Sequence, residues 1–192
     1  MDPACVTRLS LSTRLSLMTS SVAPLRPGAP PALAWRTDNC TVLRGIEIFG
    51  DPRAFAVLRE VFLGVRRFAD IAEHTGMPRQ VLTGRLERLV EEGLLRRTPY
   101  QEPGSRVREE YRLTDKGLDL YPVLVALADW GNSYVADRGG PPVEFVHRDC
   151  GAEAHAVLRC DAGHDIDAVR DVVVARGPGA RRRTRQSSTT RS

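Results

Sequence analysis

Apolar side chains recur at helical spacing through the middle of the chain. Val42, Leu43, Ile46 and Phe49 share one face of a predicted helix over 40–49, and Gly50 ends it. Asp51 is a predicted N-cap with Pro52 in the first helical position, and the helix they open runs to Leu63 with Phe55, Leu58, Val61 and Phe62 on its apolar side. Gly64 closes it. A third helix, from about Arg67 to His74, places Phe68, Ile71 and Ala72 inward, and Thr75-Gly76 makes a tight turn before Pro78 opens a fourth. There Leu82, Leu86 and Leu89 repeat at i, i+4 and i+7 with Val90 beside them, while Gln80, Thr83, Gly84, Glu87 and Arg88 fall on the other side. One face is core and the other is free.

After Gly93 the pattern changes. Residues 94–99 and 107–113 read as two short strands around the turn EPGSR. Thr114-Asp115 then starts a long predicted helix to about Arg138, with one stripe of Leu118, Tyr121, Leu124, Val125 and Ala128 and a neighbouring stripe of Leu120, Leu127, Trp130 and Tyr134. That is wider than one small domain needs. Gly139 to Pro142 break the chain, and 143–175 form a short appendage bearing Cys and His and ending in DVVVA.

The 192 residues carry a net charge of +4, and its distribution changes what that charge means. Residues 1–36 hold +3 and residues 176–192 hold +6, leaving 37–175 at −5, so the basic character lies in the two ends. Both ends are rich in small and polar residues without sustained periodicity, and we expect them to be disordered. The expected division is a basic extension over 1–36, a helical domain with a hairpin over 37–138, the appendage over 139–175 and an Arg-rich tail over 176–192.

Several function classes recede. No apolar stretch approaches the ~18 residues needed to span a bilayer. Arg8 and Arg14 interrupt what would be the apolar core of a signal peptide, so no export is expected and the cytoplasm, at the nucleoid, is the expected location. Four scattered cysteines do not make a disulfide scaffold. A Cys-His dyad has its residue types here, but no phosphate loop, nucleophile elbow or carboxylate pair accompanies it, and no catalysis is expected.

Helix, tight turn, helix and a hairpin with arginines at its tip make the layout of a winged helix-turn-helix. A helix of about 16 residues, ~24 Å long, can enter the major groove with its polar face while its apolar face rests on the domain. Arginines 66, 67, 79, 85, 88, 96, 97, 106 and 108 concentrate around that helix and wing. The alternative is that they are ordinary surface residues paired with Asp70, Glu73, Glu87, Glu91 and Glu92, and the net acidity of 37–175 would suit a protein-interaction module that does not bind DNA. Retardation of promoter DNA in a gel separates the two readings.

Residues 40–131 resemble the HxlR-type winged helix-turn-helix transcriptional regulators, relatives of the MarR group. The resemblance is carried by Cys40, Gly50-Asp51, LREVFLGVRRFADI, VLTGRLERLVEEGLL, PYQEPGSR, EYRLTDKG and PVLVALADWG. Arg53 stands where the family commonly has Trp, and Gln80 where it often has Lys. The resemblance implies a mainly α fold with a small hairpin wing, N- and C-terminal helices that dimerise, and a homodimer on operator DNA, acting more as repressor than activator. It implies that Arg79, Gln80, Thr83 and Gly84 face base edges, and that Arg66, Arg67, Arg85, Arg106 and Arg108 contact phosphates. In several members a cysteine at the place of Cys40 is a thiol sensor, which makes Cys40 a candidate redox site. No small-molecule effector can be named. In the appendage, His147-x2-Cys150 and Cys160-x3-His164 have the residue types of a tetrahedral zinc site, the one cofactor the chain suggests.

Overall fold

The structure, a computed structural model, describes residues 36–183. They fall into two compact units, one of residues 40–157 and one of residues 36–39 with 158–183.

The larger unit opens with α1 (Thr41–Phe49) and α2 (Pro52–Phe62), joined by Gly50-Asp51. Asp51 caps α2 through one carboxylate oxygen, which accepts from the backbone N–H groups of Arg53 at 2.8 Å and Ala54 at 3.1 Å. Next come α3 (Phe68–Thr75) and α4 (Arg79–Glu91). The turn between them needs a left-handed residue, and Gly76 supplies it at φ 63°. Thr75 Oγ1 donates to the Ile71 carbonyl at 2.6 Å and fixes the last turn of α3.

Ala54, Val57, Leu58 and Val61 of α2, Ile71 of α3 and Leu82, Leu86 and Leu89 of α4 form one buried core with Leu94 and Leu95. Glu60 is buried among them, at 1% exposure. A buried carboxylate is costly unless paired, and Glu60 accepts from Arg59 and lies 3.0 Å from His74 Nδ1 at the end of α3. The pair ties the first helix of the helix-turn-helix to α2.

Strands β1 (Leu95–Tyr100) and β2 (Arg108–Leu113) pair antiparallel, from Leu95 opposite Leu113 to Tyr100 opposite Arg108. The segment before α3 joins the outer side of β2, where Tyr111 N–H donates to the Arg66 carbonyl at 2.8 Å. Thr114 caps α5 (Asp115–Leu118) by accepting from Gly117 N–H. A Cβ on Gly117 would run into the Leu94 carbonyl, so only glycine lets the two backbones meet there.

The long helix expected over 115–138 is two helices. After α5 the chain restarts as α6 (Tyr121–Tyr134), with Pro122 in its first turn. Proline's ring clashes with the carbonyl four residues back, so one helix cannot run through Leu118. The break also redistributes the stripes. Leu124 and Val125 are buried and Leu120 packs against the core, whereas Leu118 and Tyr121 are exposed along with Leu127, Trp130 and Tyr134.

Beyond α6 the chain folds back within this unit. Val146 bridges Glu153, Phe145 meets the Tyr121 ring edge-on, and Asp129 of α6 accepts from Ala156 N–H at 2.9 Å and lies 3.1 Å from His155 Nδ1. The smaller unit contains β3 (Leu158–Arg159) paired with β4 (Asp165–Ile166), a short 3-10 turn over Val169–Asp171, and the strand-like contact of Arg36 N–H with the Arg181 carbonyl. The expected extension and tail lie mostly outside the described residues. Among those described, no helix is long and apolar enough to cross a membrane.

Candidate nucleic-acid interface

α4 buries Leu82, Leu86 and Leu89 completely and exposes Gln80, Thr83, Gly84 and Glu87 on its opposite side. Its inner face is fixed by the core, so the outer face is presented rigidly. Gly84 sits at the centre of that face, and a Cβ added there would meet nothing within 4 Å. Packing within the chain therefore does not require glycine. Gln80 is exposed, and Thr83 Oγ1 donates back to the Arg79 carbonyl at 2.9 Å, which holds its methyl and hydroxyl in a set orientation.

The arginines divide into two groups. Arg66, Arg106 and Arg108 are exposed and enter no ion pair among the described residues. They stand before α3 and on the wing, on either side of the α4 sequence. Others are engaged within the chain. The Arg79 guanidinium lies over the Phe68 ring at 4.8 Å. Arg67 pairs with Glu102 at 2.6 Å and lies over the Tyr100 ring, which ties the start of α3 to the turn end of the wing. Arg97 stands 3.8 Å from Glu109 across the hairpin.

Arg85 is engaged at the start of α2. Its Nη2 is 3.0 Å from Asp51 Oδ2, its side chain is 30% exposed, and its Nε is buried without a partner. The cause is position: Arg85 lies on the flank of α4 that turns toward the start of α2, where a capping carboxylate has one oxygen to spare. Asp51 is correspondingly held below the usual carboxylate range. The Ala54 N–H contributes most to this, burial opposes it, and the Arg53 N–H and the charges of Arg85 and Arg53 add to it. One turn on, Arg88 Nη2 donates to the Glu47 carbonyl at 2.8 Å. Sequence reasoning misses this contact, because a carbonyl acceptor leaves no trace in residue identity. It also misses Glu60, although Glu60 falls on the apolar side of α2 by spacing alone.

Cys40 is the N-cap residue of α1, half-buried, and its side chain makes no capping hydrogen bond. The expected zinc ligands fall in two pairs, one in each unit. His147 Nδ1 is 3.4 Å from Cys150 Sγ in the larger, and Cys160 Sγ is 3.6 Å from His164 Nδ1 in the smaller. Among the described residues no group of three or more His, Cys, Asp or Glu is placed to hold a metal ion.

The HxlR-like helix-turn-helix profile matches residues 49–138. HTH-type transcriptional regulator Rv3095 of Mycobacterium tuberculosis, itself described as uncharacterised, is 41% identical over 148 residues, which cover 77% of this chain and 92% of that one. The chain belongs to the HxlR-like helix-turn-helix family. Its similarity to Rv3095 is longer than the family profile, so the two also share sequence outside 49–138. Among solved structures, PA1607, described as a candidate transcription factor, is 34% identical with a TM-score of 0.64, over 73% of this HxlR-like chain and 96% of that chain. A second candidate transcription factor, PA1374 of Pseudomonas aeruginosa, is 31% identical with a TM-score of 0.51, covering 74% and 95%. The winged helix-turn-helix expected from the hydrophobic pattern is the fold observed, and the chain is a DNA-binding transcriptional regulator by family.

Proposed function

We propose that the protein is a homodimeric repressor that reads a two-fold-symmetric operator in double-stranded DNA, without catalysing a reaction, at the nucleoid in the cytoplasm. The observation that carries this reading is the outer face of α4: Gln80, Thr83 and Gly84 open to solvent on a helix whose other side is buried, with Arg66 before α3 and Arg106 and Arg108 on the wing exposed and in no ion pair among the described residues. Gln80 and Thr83 offer groups for base edges, and the arginines offer charge to phosphates.

The dimer reading rests on apolar surface. Val42, Leu43 and Ile46 of α1 are each more than half exposed, as are Leu127, Trp130 and Tyr134 of α6. An apolar cleft of about 420 Å³ is lined by Phe49 of α1, Pro52 and Phe55 of α2, and Val123 and Leu127 of α6. Monomers seldom leave that much contiguous apolar surface in water. Pairing through α1 and α6 covers it and, for a symmetric operator, sets two recognition helices about one DNA turn, ~34 Å, apart.

The test compares operator with random DNA. Gln80→Ala and Thr83→Ala are expected to relax operator preference, each base-edge contact being worth ~1–3 kcal/mol, while Arg106→Ala weakens binding to all sequences and flattens the salt dependence. Equal losses on both DNAs for all three variants remove the recognition-helix assignment. Light scattering tests the assembly: a mass near the 21.2 kDa of one chain at micromolar concentration sinks the dimer, and dissociation by Trp130→Asp supports it.

A further inference from the structure

Two arginines of α4, one turn apart, reach the same corner of the fold. Arg85 meets Asp51, the residue that caps α2, and Arg88 meets the Glu47 carbonyl, one of the last four of α1. The last carbonyls of a helix lack partners within it and carry its negative end, so a guanidinium there is doubly favoured. Asp51 divides its work between its two oxygens: Oδ1 takes the N–H groups of Arg53 and Ala54, and Oδ2 takes Arg85. The α1–α2 corner is therefore clamped to the flank of the recognition helix at two points.

We propose that Arg85 and Arg88 are positioning residues for DNA recognition: they touch no DNA, and instead fix the angle at which α4 presents Gln80, Thr83 and Gly84. Three observations support this for Arg85. Its guanidinium is already spent on an acid, its Nε is sealed from solvent, and its side chain leaves the outer face of α4 on the Asp51 side. For Arg88 the support is that it bonds a backbone carbonyl, a contact that reports the place of the chain itself and not that of a mobile side chain. The clamp joins α4 to the helix whose apolar side is proposed to pair with a second copy, so the angle of α4 follows α1.

The proposal rests on α4 being the recognition helix, and the two can fail separately. The experiment uses the full chain and an operator selected by the wild-type protein from a pool of random duplexes. Arg85→Gln, Arg88→Gln, Asp51→Ser and the double variant Asp51→Ser with Arg85→Gln are measured on that operator and on random DNA across a salt series. Asp51→Ser keeps a capping hydroxyl and breaks the clamp from the side that no DNA contact could involve. Each single variant is expected to lose roughly three- to tenfold in operator preference, with the double variant losing no more than the worse of its two parents, as for residues acting through one contact. The salt slope on random DNA is expected to stay unchanged. A slope reduced by about one in Arg85→Gln but not in Asp51→Ser would show a phosphate contact and overturn the proposal. Unaltered operator preference in all four variants overturns it too. If Gln80→Ala and Thr83→Ala leave preference intact, the underlying assignment of α4 has failed instead.

Discussion

Replacing Gly84 with alanine separates what this helix does for the fold from what it does for DNA. Gly84 lies six residues into the thirteen of α4, a helix interior where glycine costs ~0.8–1.0 kcal/mol relative to alanine. The new Cβ would meet nothing within 4 Å, so no packing penalty offsets that gain. The expected result is a protein about 0.8 kcal/mol more stable, which for a domain of about 100 residues raises Tm by roughly 4 °C. DNA affinity is expected to move the other way. A methyl group beside Gln80 on the same face holds the backbone off the base edges and removes contacts worth ~1–3 kcal/mol, or about tenfold or more in operator affinity. Thermal denaturation and gel retardation on one preparation check both halves. Stability that falls shows that the site is not open, and operator affinity equal to wild type refutes the argument that the helix backbone comes close to DNA.

Other expected outcomes concern stability and chemistry. Glu60→Ala strands His74 and Arg59 and leaves a void among buried side chains; a loss of about 2 kcal/mol is expected from denaturant unfolding. Because Asp51 titrates lower in the fold than the usual value of about 3.9, its contribution is complete above that value and disappears as pH falls through its folded pKa; the stability gap between wild type and Asp51→Asn is expected to narrow below about pH 4 in acid titrations followed by circular dichroism. His147 with Cys150 and Cys160 with His164 stand as separate pairs, and no group of three or more ligand side chains is placed to hold a metal among the described residues; elemental analysis of untagged protein tests the zinc suggested by their spacing, which if present is one per chain and lost in Cys150→Ser, and metal-free wild type ends it. For Cys40, mild oxidant is expected to release DNA from wild type and not from Cys40→Ser; identical behaviour of the two makes the thiol structural.

The core and the order of elements are legible in the sequence because burial imposes a period. Leu82, Leu86 and Leu89 announce α4, and the Gly-Asp-Pro and Thr-Gly runs mark its neighbours through requirements of capping and turn geometry that only a few residues meet. What escapes is whatever depends on a partner distant in sequence. Arg85 and Arg66 look alike as letters, and only the corner at Asp51 makes one of them internal. The break at Pro122 is written in the chain, yet the apolar stripes run across it and suggest a single helix. The face of α4 that DNA would meet is readable only by subtraction, as the side on which no periodic apolar residue falls.

The wing has a further property, which concerns how the protein keeps to itself. β2 is covered on its outer side by the Arg66–Arg67 segment, but among the described residues β1 has a neighbour on one side only. A strand with a bare edge is a template on which a second such strand can grow. Pro99 stands inside β1, opposite Glu109, and has no N–H to offer. Arg96 and Arg97 add charge to the same strand. The wing can thus stay long and exposed without inviting other wings to stack against it.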